Sequence, residues 1–220
     1  MKSIDLTLYL VTDSTGLGEI TFLETVRRAC AGGVTILQLR EKDKGGLEYL
    51  HLAEKVRRIT DEYGIPLIID DRVDVAMAAG AAGVHVGQSD LPVYVARDLL
   101  GSDKIIGATA KTVEQARVAK RQGADYLGVG AIYPTTTKVI TRLTEVSTLN
   151  EIVKATDMPT VAIGGLNSSN MHILYDSLAN GVAIVSAIMK SEDPYETAKE
   201  LRALILKNFK CASPAGYFSR

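Results

Sequence analysis

Residues 28–39, RACAGGVTILQL, contain an Ala-rich helix end, two glycines and a β-branched strand in direct succession. Glycine just past a helix provides the left-handed conformation that reverses the chain. The same form recurs in AMAAGAAGVHVG (76–87), AKRQGADYLGVG (119–130) and SLANGVAIVS (177–186). Repeated short connections from a helix into a strand are typical of folds in which parallel strands alternate with helices.

Eight apolar or β-branched runs predict strands, at 6–11, 34–39, 66–70, 83–87, 104–108, 126–132, 159–164 and 182–187. Segments with helical spacing predict helices at about 21–31, 47–63, 73–80, 92–100, 112–122, 148–156, 168–179 and 194–207. This order predicts the α/β class and a single (β/α)8 TIM barrel with parallel strands over residues 1–206. A doubly wound open sheet is the alternative, because strand count does not show closure. Residues 207–220 lack periodicity and are expected to form a mobile C-terminal tail.

The composition excludes several classes of function. A formal net charge of −1 gives no general attraction to nucleic acid or to an anionic membrane. No segment approaches the roughly 20 apolar residues that a membrane span needs, so we expect a cytoplasmic protein. Cys30 and Cys211 have no paired spacing, which argues against a disulfide framework or a zinc site. Cys30 is expected to be a small core residue.

Polar side chains gather where the predicted strands end, which is where barrel enzymes carry their chemistry. They follow strands two to six as Gln38, Arg40 and Lys42, then Asp70 and Asp71, then Gln88 and Asp90, then Thr109, then Thr135, Thr136, Thr137 and Lys138. The two carboxylate clusters suit a hard cation such as Mg²⁺, which is held by one or two carboxylates plus substrate phosphates. Either cluster could instead cap a helix, and His85 could be either a core residue or a ligand.

A second anion site is expected after strands seven and eight. Gly164 and Gly165 follow strand seven, and Val185 and Ser186 end strand eight. Loops at these positions form the recurrent phosphate site of such barrels, and glycines let backbone N–H groups approach an oxyanion. Two anion sites in one barrel mouth indicate two phosphorylated substrates.

Five motifs in register resemble thiamine-phosphate synthase: QLREK (38–42), DDRVDVAMAAGAAGVHVGQSDLP (70–92), GAIYPTTTK (130–138), AIGGL (162–166) and VSAI (185–188). The resemblance covers about residues 8–205. It implies a transferase that joins a hydroxymethylpyrimidine pyrophosphate to a thiazole phosphate with Mg²⁺ as cofactor. Small molecules would be its only partners, and whether it forms a homo-oligomer is left open.

The resemblance also implies a role for each matched residue. Contacts to the pyrimidine pyrophosphate would come from Gln38, Arg40, Lys42, Asp70, Thr109 and Lys138, with Arg40, Lys42 and Lys138 catalytic. The thiazole phosphate would lie against Thr135, Thr136, Thr137, Gly165, Val185 and Ser186, and Mg²⁺ would bind Asp71 and Asp90. Asp70 stands where the family usually has Asn, so it would contact either the pyrimidine or the metal, and Thr109 stands where Ser is usual.

Three other functions compete with this interpretation. A related barrel isomerises thiazole phosphates with an acid/base residue and no metal-bound pyrophosphate site. A sugar-phosphate epimerase would need different acid/base carboxylates. A non-catalytic ligand-binding barrel would be consistent with the departures at Asp70 and Thr109.

Overall fold

In the computed structural model, which describes residues 4–135 and 143–210, eight parallel strands close into a barrel in the order β1 to β8. The first strand pairs with both the second and the eighth, which excludes the open sheet and confirms the predicted fold. The strands are β1 (Leu8–Val11), β2 (Ile36–Leu39), β3 (Leu67–Asp70), β4 (Gly83–Val86), β5 (Ile105–Ala110), β6 (Tyr126–Gly130), β7 (Thr160–Ile163) and β8 (Gly181–Ile184).

Helices follow the strands around the outside of the barrel. They are α1 (Glu19–Ala31), α2 (Gly46–Glu62), α3 (Val73–Ala78), α4 (Val93–Leu100), α5 (Val113–Arg121), α6 (Val146–Thr156), α7 (Ser186–Met189) and α8 (Pro194–Asn208). Gly33, Gly80 and Gly123, which lie between the helix and the strand in three of the recurring units, all have positive φ. The glycines of the repeated sequence form therefore reverse the chain as predicted.

The helix predicted over 168–179 was wrong. Only Met171–Leu174 forms a helical turn there, of the 3-10 type. The side chain of Asn167 accepts from the backbone N–H of Ser169, and that of Asn170 accepts from the N–H of Asn167. Such local bonds compete with a helical backbone. The short helix α7, directly after β8, was not predicted.

Apolar side chains fill two separate regions. One lies between strands and helices, and the other is the barrel interior, whose buried residues include Tyr9, Ile36, Ile68, Tyr126 and Val161. Alternate residues of each strand face these two regions, because side chains on a strand alternate. The interior of the barrel is thus a packed core and not an open pore.

The C-terminal helix runs to Asn208, and Phe209 is buried with its ring 5.9 Å from that of Tyr175. The packed chain thus passes the predicted boundary at residue 206, while 211–220 lie outside the described residues and the tail stays a prediction. Cys30 is buried, as predicted, and its burial raises the pKa of the thiol to about 12. Within 4–135 and 143–210, no helix is long and apolar enough to cross a membrane.

Candidate active site

The end of β2 brings a polar side chain into the barrel interior and two cations to its mouth. Gln38 is buried, and its amide Nε2 donates to the hydroxyl of Tyr9 at 3.1 Å. The Arg40 backbone N–H donates to Thr12 Oγ1, which ties the loops after β1 and β2 together. Arg40 and Lys42, two residues apart on this loop, both form ion pairs with Asp70.

The chain turns sharply where β3 ends, and this turn presents two consecutive carboxylates. Asp70 is 8% exposed and lies 2.9 Å from Lys42 Nζ and 3.8 Å from Arg40 Nε. Asp71 has a φ of +59° and also contacts Lys42. A left-handed conformation outside glycine costs on the order of 1 kcal/mol or more and is found where surrounding structure enforces it. Here the Asp71 backbone N–H donates to the His85 carbonyl.

The loop after β4 supplies the third carboxylate. Asp90 Oδ2 accepts the Gly87 backbone N–H at 2.8 Å. A Cβ on Gly87 would lie only 2.8 Å from that oxygen, so glycine makes room for this contact. Neither α3 nor α4 has a side-chain cap, and their N-cap residues are Arg72 and Pro92. The helix-capping interpretation of Asp71 and Asp90 was therefore wrong.

The carboxylates and Lys42 perturb one another. Partial burial lowers the pKa of Lys42, but hydrogen bonds to Asp71 and Asp70 outweigh it and the pKa is raised. The pKa of Asp90 is raised, first by burial and then by its contact with Asp71. Two carboxylates this close favour the binding of a positive charge between them.

The loops after β6 and β7 meet on the other side of the mouth. Gly164 and Gly165 have φ values of +110° and +62°, and the Tyr133 backbone N–H donates to the Gly164 carbonyl. A Cβ on Gly165 would lie 2.5 Å from the Pro134 carbonyl oxygen. The two glycines thus allow the loops after β6 and β7 to pack closely.

Two of the predicted thiazole-phosphate residues lie at the end of β8. Val185 is the N-cap of α7, and Ser186, the first helical residue, is exposed. Thr135 is half-buried. Thr136, Thr137 and Lys138 lie outside the described residues, so their predicted contacts stay predictions.

Sequence reasoning missed a set of hydrogen-bonded side chains that crosses the barrel interior. The Tyr9 and Tyr126 hydroxyls are 2.7 Å apart. Tyr126 Oη lies 3.0 Å from His85 Nδ1, and His85 Nε2 lies 3.0 Å from Thr109 Oγ1. With Gln38, these residues join β2, β1, β6, β4 and β5. A polar side chain at an inward position of each strand was the only available signal.

The described residues include no group of three or more His, Cys, Asp and Glu side chains placed to hold a metal ion. A cation at Asp71 and Asp90 would therefore depend on ligands from a substrate as well. This arrangement matches the usual habit of Mg²⁺, which takes one or two carboxylates and completes its shell with phosphate oxygens and water.

Comparison with known proteins identifies the family. The family model for thiamine monophosphate synthase matches residues 8–188. The chain belongs to this family. A thiamine-phosphate synthase from Methanobrevibacter smithii is 46% identical over 210 residues, covering 96% of this chain and 98% of the relative. Thiamine-phosphate synthase 2 from Streptococcus pneumoniae serotype 4 is 52% identical over 188 residues, covering 86% and 90%.

Solved structures agree with this assignment. A thiamine phosphate pyrophosphorylase from Pyrococcus furiosus superposes with a TM-score of 0.84 at 37% identity, covering 92% of this chain and 96% of that one. A 3-hexulose-6-phosphate synthase has a TM-score of 0.65 at 19% identity, covering 90% and 99%, and shows the fold alone. The predicted resemblance is confirmed, and the protein is a transferase of thiamine biosynthesis that acts on small molecules.

Proposed function

We propose that the protein joins 4-amino-2-methyl-5-hydroxymethylpyrimidine pyrophosphate to 4-methyl-5-hydroxyethylthiazole phosphate, giving thiamine phosphate and pyrophosphate. The observation that carries this proposal is the charged cluster at the ends of β2, β3 and β4. There Arg40 and Lys42 meet Asp70 and Asp71, with Asp90 adjacent. Cations and paired carboxylates in one place suit a magnesium pyrophosphate better than a simple phosphate.

Asp71 and Asp90 would hold the Mg²⁺. Their carboxylates are close enough for Asp71 to raise the pKa of Asp90, second to the effect of burial, and a cation would relieve this repulsion. When bound, Mg²⁺ neutralises charge on the pyrophosphate oxygens and makes pyrophosphate a better leaving group. In the free protein, the Lys42 ammonium pairs with Asp71 and with the neighbouring Asp70.

Arg40 and Lys42 would bind the departing pyrophosphate directly. Their ion pairs with Asp70 hold both cations at the mouth, close to where negative charge would develop on the departing oxygens. Lys138 would contribute from the loop after β6. The contacts of Asp70 favour a role in orienting these cations over a third metal contact, since Asp70 pairs with both of them.

The second substrate would bind across the mouth. Backbone N–H groups near Gly165, Val185 and Ser186, with the hydroxyls of Thr135, Thr136 and Thr137, would hold the thiazole phosphate. The positive φ of Gly165 and its close approach to the loop after β6 support this site. Phosphate bound there would fix the thiazole ring in orientation for the reaction.

In the proposed step, the bond between the pyrimidine methylene carbon and the pyrophosphate oxygen breaks, and its electron pair leaves with pyrophosphate. The aminopyrimidine ring stabilises the resulting cation. The lone pair of the thiazole nitrogen then forms the new carbon–nitrogen bond, so no protein nucleophile is required. Positioning and charge stabilisation by the chain supply the rate enhancement.

The test is to mix the purified protein with both substrates and Mg²⁺ and to detect thiamine phosphate by fluorescence after oxidation. Product that disappears with EDTA is expected. Absence of product while either substrate still binds would favour the isomerase or the non-catalytic barrel. The cytoplasmic location and any homo-oligomer stay predictions.

A further inference from the structure

Five polar side chains cross the barrel interior in one unbroken series of hydrogen bonds. The series runs from Gln38 through Tyr9, Tyr126 and His85 to Thr109. The first four residues are buried, whereas Thr109 is half-exposed at the mouth. A polar network in a packed core is costly unless every member is satisfied. The order of donors and acceptors inside the barrel therefore determines what the open end at Thr109 offers to a ligand.

The direction of the series follows from its buried end. The Gln38 amide N–H donates to the Tyr9 hydroxyl. Burial raises the pKa of both Tyr9 and Tyr126, so both stay protonated and each has one hydrogen to donate. With the oxygen of Tyr9 accepting from Gln38, its hydrogen is directed to Tyr126, whose hydrogen is in turn directed to His85 Nδ1.

We infer that this directional series places the proton of His85 on Nε2 and leaves the Thr109 hydroxyl as a hydrogen-bond donor to the substrate. His85 that accepts at Nδ1 donates from Nε2 to Thr109 Oγ1. The hydrogen of Thr109 is then available at the mouth. The group it selects is an acceptor such as an aminopyrimidine ring nitrogen. Tyr9, Tyr126 and His85 are thus positioning residues that act through Thr109.

The packing around His85 holds its ring against Tyr126, in reach of this hydrogen bond. A Cβ on Gly107 would overlap the Tyr126 hydroxyl and come within 2.5 Å of His85 Nδ1. A Cβ on Gly128 would lie 3.1 Å from His85 Cε1. Glycine at both inward positions leaves only enough room for the histidine and tyrosine rings in contact, with centroids 5.5 Å apart.

The identity of the substrate rests on the proposed function, but the proton position does not. It can be read from the ¹⁵N shifts of His85 by NMR on the protein without substrate, and the chain has only three histidines. We expect a protonated Nε2 and an unprotonated Nδ1 in the wild type. This NMR experiment gives the position of the His85 proton even if the enzyme makes no thiamine phosphate.

The matched variant is Tyr126→Phe, which keeps the ring and removes one donor. Its His85 is expected to populate both neutral tautomers. Its KM for the pyrimidine pyrophosphate should rise by the reciprocal of the fraction of His85 that keeps its proton on Nε2, about twofold when the two tautomers are equally populated, with the KM for the thiazole phosphate unchanged. Tyr49→Phe is the control, because it removes another buried hydroxyl, one that donates to the backbone carbonyls of Leu39 and Asp70. Its His85 shifts should match the wild type.

Three results would each overturn the inference. They are a wild-type His85 protonated on Nδ1 or on both nitrogens, an unchanged His85 tautomer in Tyr126→Phe, and an unchanged KM for the pyrimidine pyrophosphate in that variant. The melting temperatures of Tyr126→Phe and Tyr49→Phe show whether the two variants are equally folded.

Discussion

The two halves of the barrel mouth are built to bind anions in different ways. After β2 to β4 the groups are charged side chains, with Lys42 between Asp70 and Asp71. After β7 the distinctive groups are Gly164 and Gly165, whose positive φ values shape the backbone. Charged side chains together with a cation suit a highly charged anion such as pyrophosphate, whereas backbone N–H groups suit a single phosphate. Under the proposed function, the leaving group would bind to the first half and the retained phosphate to the second.

The largest effect is expected from Lys42→Ala, which removes a cation from the charged half. Turnover should fall by about 100- to 1000-fold, as for the loss of one preorganised charge-stabilising group. The melting temperature should change little, because Lys42 is 45% exposed. Steady-state kinetics and thermal melts check this.

Lys44→Ala is the matched control on the same loop, since Lys44 pairs with Glu48 and Glu41 and not with the site carboxylates. Its turnover should match the wild type. Equal losses of activity and stability in Lys42→Ala would show that Lys42 is a structural residue.

Asp90→Asn should weaken the binding of Mg²⁺ in the charged half. Loss of a residue that only supports a metal ligand lowers metal affinity by roughly 10- to 100-fold. The Mg²⁺ concentration that gives half-maximal rate should rise by at least this factor. The amide keeps the size of the side chain while removing its charge. Titrating Mg²⁺ against rate measures the shift, and an unchanged titration would place the metal elsewhere.

Gly165→Ala should affect the other half. A methyl group at a φ of +62°, 2.5 Å from the Pro134 carbonyl oxygen, must displace the loop. We expect the KM for the thiazole phosphate to rise by about tenfold, the cost of roughly 1 kcal/mol or more of strain. The KM for the pyrimidine pyrophosphate should stay constant.

Gly18→Ala is the control for this substitution, because Gly18 has a φ of −69° and open space around its Cβ. Neither KM should change there. If Gly165→Ala raised both KM values equally, the two halves of the mouth would not be separate sites.

The smallest effect is a pH dependence of Mg²⁺ binding in the charged half. Burial and the neighbouring Asp71 raise the pKa of Asp90, so a proton competes with Mg²⁺ at a higher pH than at an ordinary aspartate. Affinity for Mg²⁺ should therefore be greatest above this raised pKa. It should fall as the pH drops through it, by less than tenfold per pH unit for one proton.

Titrations of Mg²⁺ from about pH 7 down to about pH 4, through the ordinary aspartate range, measure this slope. Asp90→Asn should flatten it, whereas the pH dependence of thiazole phosphate binding, which follows the second ionisation of the phosphate near about pH 6, should be the same in both proteins. A wild-type slope no steeper than that of Asp90→Asn would contradict the role of Asp90.

The fold was predictable because its signal is local and repeated. Glycines such as Gly80 and Gly123 mark the helix ends within the sequence itself, and the strands follow at once. The helix predicted over 168–179 was wrong for an equally local reason. The residues of this segment are spaced as in a helix, but the side chains of Asn167 and Asn170 accept hydrogen bonds from backbone N–H groups there.

The site was only partly predictable. Strand ends could be recognised from their apolar runs, so Arg40, Asp71 and Asp90 could be placed at the mouth from the amino-acid sequence alone. The network through Tyr9, Tyr126 and His85 could not be recognised. It depends on which inward side chains face one another across the barrel, and sequence order does not give that distance.

The most direct test of the central claim is calorimetric titration of inorganic pyrophosphate into the wild type and Lys42→Ala, each with and without Mg²⁺. We expect pyrophosphate to bind the wild type only with Mg²⁺ and to bind Lys42→Ala at least about tenfold more weakly. Affinity for the thiazole phosphate should be the same in both proteins. Pyrophosphate binding that is indifferent to both Mg²⁺ and Lys42 would contradict the assignment of the charged half to the leaving group.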